Sequence, residues 1–175
     1  MSRRGELQLD RRSFLERSGV AAGALALGAP GLVTAAHGRA PAQRGQRAAV
    51  ARWLEGYRRA WVERDPDAAA ALFTRDAVYQ EQAFQPAYVG RAAIRDYWTT
   101  VTATQSDIEL RYGRPVVAGR KAAVEWWANL RNGGADVTLA GEFMLTFARR
   151  GRCRSLREYW FFAEGRQSPP SGWGR

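Results

Sequence analysis

Side chains that bind metals or form disulfide bonds are scarce in this 175-residue chain, which has one cysteine and one histidine. With Cys153 as the single cysteine, no disulfide bond can form within the chain. His37 lies at a predicted cleavage point, so the processed protein would carry no histidine. We therefore expect no metal site, no cofactor and no histidine-based triad, and any acid or base must be Asp, Glu, Tyr or Lys.

Long apolar runs are equally scarce. The one extended, weakly apolar segment follows a pair of arginines near the start of the chain. Arg11, Arg12, Phe14 and Leu15 precede a segment rich in Ala and Gly. This order is typical of a twin-arginine signal peptide, which we place at residues 1–37. An uncleaved membrane anchor is the alternative. Gly and Pro interrupt the apolar segment, however, and it is shorter than the roughly 20 apolar residues that a transmembrane helix needs.

The rest of the chain has the length of one domain. We expect a linker over residues 38–47, a single domain over 48–165 and a C-terminal tail over 166–175. The formal net charge of the chain is +10, yet no nucleic-acid-binding motif is present, so nucleic acid is not an expected partner. The predicted location is outside the cytoplasm (periplasmic, secreted or cell-surface), reached through the twin-arginine export machinery.

Helical periodicity dominates the first part of this domain. One apolar stripe, typical of a helix with one buried face, is formed by Val50, Trp53, Leu54, Tyr57 and Trp61.

Two more helices follow. Asp65 is the predicted N-cap of a short second helix, because Pro66 then occupies its first turn. A third helix is predicted from Arg91 to about Val101, after a strand at residues 77–80.

Beyond Ser106 the apolar residues alternate with a period of two, and turn signals separate successive runs. Gly119-Arg120, Asn132-Gly133-Gly134 and Arg150-Gly151 divide the segments into hairpins. Helices first and strands second predict an α+β domain in which helices cover one face of a curved antiparallel sheet.

Three motifs in this domain match a family pattern. They are Leu-Phe-x-x-Asp-Ala-Val at residues 72–78, Gly-Arg-Ala-Ala-Ile-Arg-x-Tyr-Trp at 90–98, and Arg-Glu-Tyr-Trp at 157–160. The chain from Val50 to Gly165 resembles the nuclear transport factor 2-like superfamily, and specifically its bacterial SnoaL-like members. The resemblance implies a cone-shaped α+β roll in which a curved sheet wraps the N-terminal helices and leaves a pocket at its open end. Such proteins include ketosteroid isomerase, polyketide cyclases, dehydratases, hydrolases and many members with no known activity, and homodimers are common.

The resemblance to the ketosteroid isomerase pattern implies two catalytic candidates. Tyr57 stands eight residues before Asp65, as does the oxyanion-binding tyrosine of that pattern. Glu81 stands five residues after Asp76, where the pattern has its base. A carboxylate facing a tyrosine in an apolar pocket suits proton transfer next to a carbonyl. Alternatively, Tyr57 is a core tyrosine and Glu81 a solvated surface residue.

The second acid of that pattern has no clear counterpart. Gly141 occupies the matching position, and its neighbour Glu142 would point to the opposite face of the strand. Glu158 is interpreted instead as a scaffold residue that forms a salt bridge with Arg95 or Arg111. The other candidate pocket residues are Trp61, Tyr79, Tyr97, Trp98, Trp126, Glu142 and Trp160.

Three functions remain open at this stage. The favoured one is an exported module that binds a small apolar or aromatic molecule without chemistry, because histidine and the second acid are missing. The first alternative is a cofactor-independent isomerase, cyclase or dehydratase that uses a carboxylate and a tyrosine. The second is a dimeric interaction domain with a filled pocket.

Overall fold

Three helices and seven strands form the part of the chain that the computed structural model describes, residues 39–175. The predicted signal residues Arg11, Arg12, Phe14 and Leu15, together with His37, lie outside it. The helices are α1 (Arg39–Val62), α2 (Pro66–Ala71) and α3 (Gly90–Thr102). The strands are β1 (Phe73–Gln80), β2 (Tyr88–Val89), β3 (Gln105–Tyr112), β4 (Val116–Ala118), β5 (Lys121–Asn132), β6 (Ala135–Phe147) and β7 (Cys153–Glu164).

Helix α1 carries the predicted apolar stripe, and all five of its residues are buried. The helix begins at Arg39 and therefore runs through most of the segment predicted as a linker. Pro41 is tolerated there because it lies in the first turn, and the Ala, Arg and Gln residues that follow favour helix. The predicted N-cap of α2 is confirmed, since the Asp65 carboxylate accepts a hydrogen bond from the backbone N–H of Ala68 at 2.9 Å.

The strands form one sheet in the order β2-β1-β7-β6-β5-β3, and β4 pairs with β5. Within residues 39–175 its pairs are antiparallel, as predicted, except that β1 lies parallel to β7. The sheet is therefore mixed, because the early strand β1 joins the free edge of the last strand. The α+β class with a curved sheet and N-terminal helices is confirmed.

Alternation along the long strands separates the two faces of the sheet. Trp126, Phe143 and Leu156 point inward against the helices and are at most 1% exposed. Glu125 and Tyr159, which are register neighbours of Glu142 on the flanking strands, lie on the outer face. The packed core therefore lies on the inner side of β5, β6 and β7.

No helix among the described residues is long and apolar enough to span a membrane. The Cys153 thiol is unpaired and fully buried, and burial raises its pKa to about 12.

Candidate active site

A carboxyl and two tyrosine hydroxyls meet inside the fold. The Tyr57 hydroxyl, from α1, donates to Oε1 of Glu158 at 3.0 Å. The Tyr79 hydroxyl, from β1, donates to the same oxygen at 2.7 Å. Each of the three side chains is at most 5% exposed. Three elements that are distant in sequence thus build one hydrogen-bonded group.

Strand alternation explains why Glu158 is internal. On β7, Leu156 and Glu158 are buried while Arg157 and Tyr159 are exposed. The register partner of Glu158 on β6 is the buried Phe143. An ionisable residue at an inward position must find hydrogen-bond partners, and the two tyrosines supply them.

The predicted salt bridge of Glu158 is wrong. Arg95 pairs with Asp67 and Arg111 with Glu109, and all four of these side chains are largely exposed. Both arginines lie on solvated surfaces, whereas Glu158 is 5% exposed.

Burial raises the pKa of Glu158 from 4.5 to about 8. The hydrogen bonds from Tyr79 and Tyr57 oppose this shift because they favour the carboxylate, and the charge of Glu81 adds to it. At pH 7 the carboxyl is therefore mainly protonated. Because both tyrosines donate to Oε1, Oε2 is the oxygen that can carry this proton toward a ligand.

A cavity of about 200 Å³ adjoins this group. Eight of the nine residues predicted for the site line it: Tyr57, Trp61, Tyr79, Glu81, Tyr97, Trp98, Trp126 and Trp160. Glu142 is the exception. Its neighbour Phe143 is buried on the inner face of the sheet, so Glu142 lies on the outer face. Alternation along β6 explains why placing Glu142 in the pocket is wrong.

Glu81 lies directly after β1 and is half-buried at the same cavity. Burial raises its pKa, and polar contacts from the side chains of Trp160 and Gln82 oppose the increase. The cavity therefore holds two carboxyl groups in different surroundings, a fully enclosed one and a more accessible one. Such a difference separates an acid from a base.

Glu158 supplies a buried carboxyl at the cavity, whereas the resemblance implied an acid near residue 141. A side chain cannot be placed there, because a Cβ on Gly141 would lie 2.6 Å from Cβ of Trp160. The glycine thus permits close contact between β6 and β7, and the buried carboxyl comes from β7 instead. The inward series Leu156, Glu158 and Trp160 is the signal that could have identified it.

Metal ligands do not converge in the described part of the chain: no three His, Cys, Asp or Glu side chains there form a group that could hold an ion.

Solved structures share this fold. A protein from Novosphingobium aromaticivorans provisionally assigned as a scytalone dehydratase is 16% identical, with a TM-score of 0.62, over 77% of this chain and 97% of that one. SalBIII is an epoxide hydrolase/cyclase-like enzyme with a role in pyran ring formation in the polyether salinomycin. It is 22% identical with a TM-score of 0.58, over 68% of this chain and 92% of that one. An LEH-like epoxide hydrolase of Mycobacterium tuberculosis is 19% identical with a TM-score of 0.56, over 65% of this chain and 84% of that one.

At these identities the likeness concerns the fold alone. No curated protein sequence matches the chain. The profile of the SnoaL-like domain matches residues 50–156, which is more than half of the chain. That segment contains α2, α3 and the whole of β1 to β6, together with most of α1 and the start of β7. The chain therefore belongs to the SnoaL-like family of the nuclear transport factor 2-like superfamily.

Proposed function

We propose that the cavity is the active site of a cofactor-independent acid–base enzyme of the isomerase, cyclase or dehydratase type. Its substrate is a small apolar or aromatic molecule that carries a carbonyl or hydroxyl oxygen. The observation that carries this proposal is Glu158, a buried carboxyl with a pKa of about 8 at a cavity. A neutral carboxylic acid at physiological pH can donate a proton to a substrate oxygen.

The reaction needs two carboxyl groups with opposite tasks. Glu158 gives its Oε2 proton to the carbonyl oxygen, while the Glu81 carboxylate removes a proton from the adjacent carbon, which yields an enol. In a dehydration, the enol then returns its proton to Glu158 as the carbonyl re-forms. A hydroxyl on the second carbon from the carbonyl leaves as water, and it takes the proton that Glu81 had removed. Tyr57 and Tyr79 stabilise the Glu158 carboxylate that exists between these steps.

A binding module without chemistry is the second candidate, and the aromatic lining of the cavity favours it. Aromatic walls suit a flat apolar ligand. An interaction domain with a filled pocket has less support, because about 200 Å³ between the helices and the sheet is open.

Turnover of two compound classes tests the proposal. Cyclohex-3-enone reports isomerisation to the conjugated ketone, and 4-hydroxy-4-phenylbutan-2-one reports dehydration. Where wild-type protein turns over either compound, we expect Glu158→Gln and Glu81→Gln to lower kcat by about 100-fold or more. The rate should also fall above about pH 8, because Glu158 then loses its proton.

Glu142→Gln is the matched control, since this carboxyl lies on the outer face of the sheet. It should keep the wild-type rate. Binding of these compounds without turnover would support the binding module, and equal rates in Glu142→Gln and Glu158→Gln would contradict the assigned acid.

We also propose that the protein is exported by the twin-arginine pathway and forms a homodimer. The support for export is the motif around Arg11 and Arg12. In a bacterial host with this pathway, replacing both arginines by lysine should retain the protein in the cytoplasm, as measured by cell fractionation. The same change at Arg3 and Arg4 is the control. Unaltered export of the first variant would exclude this route.

A further inference from the structure

Gln105 is a buried polar residue at the cavity that the acid–base steps above do not use. It begins β3, it is 4% exposed, and its side chain lines the cavity. Its backbone carbonyl accepts a hydrogen bond from the Arg64 guanidinium at 3.2 Å, which holds the start of the strand in place.

Trp61 determines how the amide of Gln105 is oriented. The indole Nε1 of Trp61 donates to Oε1 of Gln105 at 2.7 Å. An indole can only donate, so the atom facing it must be the amide oxygen rather than the nitrogen. Nε2 then points away from Trp61 with two N–H groups, and among the described residues it is not one of the enclosed polar atoms that lack a partner, so it keeps accessible surface in a residue that lines the cavity. An accessible amide N–H at a cavity can donate to water or to an oxygen of a ligand.

Helix α1 carries the hydrogen-bond partners of both Glu158 and Gln105. Tyr57 and Trp61 are four residues apart on α1, which is about one turn and a rise of roughly 6 Å. Tyr57 binds Glu158, and Trp61 binds Gln105. The lining of the cavity thus includes a proton donor and an amide donor whose partners are one helical turn apart, together with aromatic side chains.

We propose that Gln105 determines substrate specificity by binding a second oxygen atom, so that the substrate is a single-ring compound with two oxygen substituents. This inference rests on the proposed function, because it takes Glu158 as the partner of the first oxygen. The size of the cavity agrees with one ring: about 200 Å³ is available, and an apolar cavity of roughly 150 Å³ holds benzene.

Binding of two aldehydes tests the inference without requiring turnover. Benzaldehyde and 4-hydroxybenzaldehyde differ by one hydroxyl opposite the carbonyl, and their Kd values can be measured by quenching of tryptophan fluorescence and checked by ligand-observed NMR. At pH 6 Glu158 is protonated. We expect the hydroxyl to tighten binding to the wild-type protein about fivefold, as one hydrogen bond of about 1 kcal/mol would do.

Gln105→Leu should reduce this preference to less than twofold while it changes the Kd of benzaldehyde little. Gln105→Met keeps the length of the side chain and serves as a second variant, with thermal unfolding as the check on folding. Asn132→Leu is the matched control, because Asn132 is the register partner of Gln105 and a second amide at the cavity. It should keep the fivefold preference.

A preference that persists in both Gln105 variants, or that disappears in Asn132→Leu, would overturn the inference. So would failure of both aldehydes to bind the wild-type protein. The acid–base proposal is tested separately by the rates of Glu158→Gln. A protein that prefers the hydroxyl aldehyde but catalyses nothing would retain the role of Gln105 and lose the enzymatic proposal.

Discussion

Two tyrosine hydroxyls and one carboxyl share a part of the cavity from which most water is excluded. Glu158 is held between Tyr57 and Tyr79, whose hydroxyl oxygens lie 3.3 Å apart. Burial raises the pKa of both tyrosines well above 10, so they act as neutral donors. The protonation state of the group is therefore determined by Glu158 alone over the physiological pH range.

The raised pKa of Glu158 predicts a pH-dependent stability. Its value is about 8 in the folded protein and 4.5 for the ordinary side chain. The folded state thus binds a proton more tightly than the unfolded state, and the resulting stabilisation is complete below pH 4.5 and lost as the pH rises through 8. We expect the unfolding free energy to fall by on the order of 1 kcal/mol per pH unit over this window.

Urea unfolding between pH 5 and pH 9 measures this slope. Glu158→Gln should flatten it, because glutamine does not titrate, while Glu142→Gln on the outer face should keep the wild-type slope. A Glu158→Gln protein with an unchanged slope would show that another group is responsible.

The two tyrosines should differ in their effect on Glu158. Both hydrogen bonds lower the pKa of the carboxyl. The bond from Tyr79 is the shorter of the two and lowers the pKa more. Tyr79→Phe should therefore raise the pKa of Glu158 further, and Tyr57→Phe should raise it less. The pKa can be followed by the carboxyl ¹³C signal of Glu158.

Tyr112→Phe is the control for these variants. The Tyr112 hydroxyl is buried but has no hydrogen-bond partner among the described residues, so its loss removes no donor from the carboxyl. A decrease in the pKa of Glu158 in Tyr79→Phe would contradict the assigned direction of this hydrogen bond.

At the scale of elements, short segments with strong end signals position the site. Helix α2 has only six residues, and it connects α1, which bears Tyr57, to β1, which bears Tyr79. Such a short helix depends on its cap more than on internal hydrogen bonds. The Asp65 carboxylate supplies that cap.

Asp65→Ala should lower the unfolding free energy by about 1 kcal/mol, the usual cost of losing an N-cap. Urea unfolding at constant pH measures the change. Asp67→Ala is the comparison, since Asp67 lies in the same turn but forms an exposed ion pair with Arg95. Exposed pairs contribute little, so an Asp67→Ala protein less stable than Asp65→Ala would contradict the role of the cap.

At the scale of the whole molecule, the C-terminal tail (residues 166–175) covers part of the outer face of the sheet. The carbonyl oxygen of Gln167 accepts hydrogen bonds from Nε1 of Trp127 and Nδ2 of Asn129. The ring of Trp173 packs edge-on against Trp127, with centroids 6.1 Å apart. The homodimer remains a prediction, and any dimer formed through this face must accommodate the tail.

Removal of residues 166–175 should lower the unfolding free energy by about 2 kcal/mol, because several hydrogen bonds and an aromatic contact are lost. Chemical denaturation of the truncated protein measures the loss. Gln167→Ala is the control, since it keeps the backbone contacts of Gln167 with β5 and β6 and removes only the hydrogen bond from its side-chain amide to the carbonyl of Glu164. Equal destabilisation by both changes would assign the effect to the Gln167 side chain.

Much of the site could be predicted because its residues lie on regular elements. Tyr57 and Trp61 follow the helical period of α1, and Trp126 follows the alternation of β5, so their inward orientation is encoded locally. The placement of Tyr57 and Glu81 at one cavity also came from the sequence, through the family resemblance. Glu158 was misassigned because the alternation of β7 indicates only that it points inward, whereas its hydrogen-bond partners come from α1 and β1.

The sequence by itself determined the order of helices and hairpins, the cap at Asp65 and the apolar lining of the pocket, since these depend on residues that are close along the chain. Only the tertiary structure decided the parallel pairing of β1 with β7 and the enclosure of Glu158. Tyr57 and Tyr79 precede Glu158 by 101 and 79 residues. A pKa is determined by the surroundings of the group in space, and here those surroundings exist only once the chain has folded.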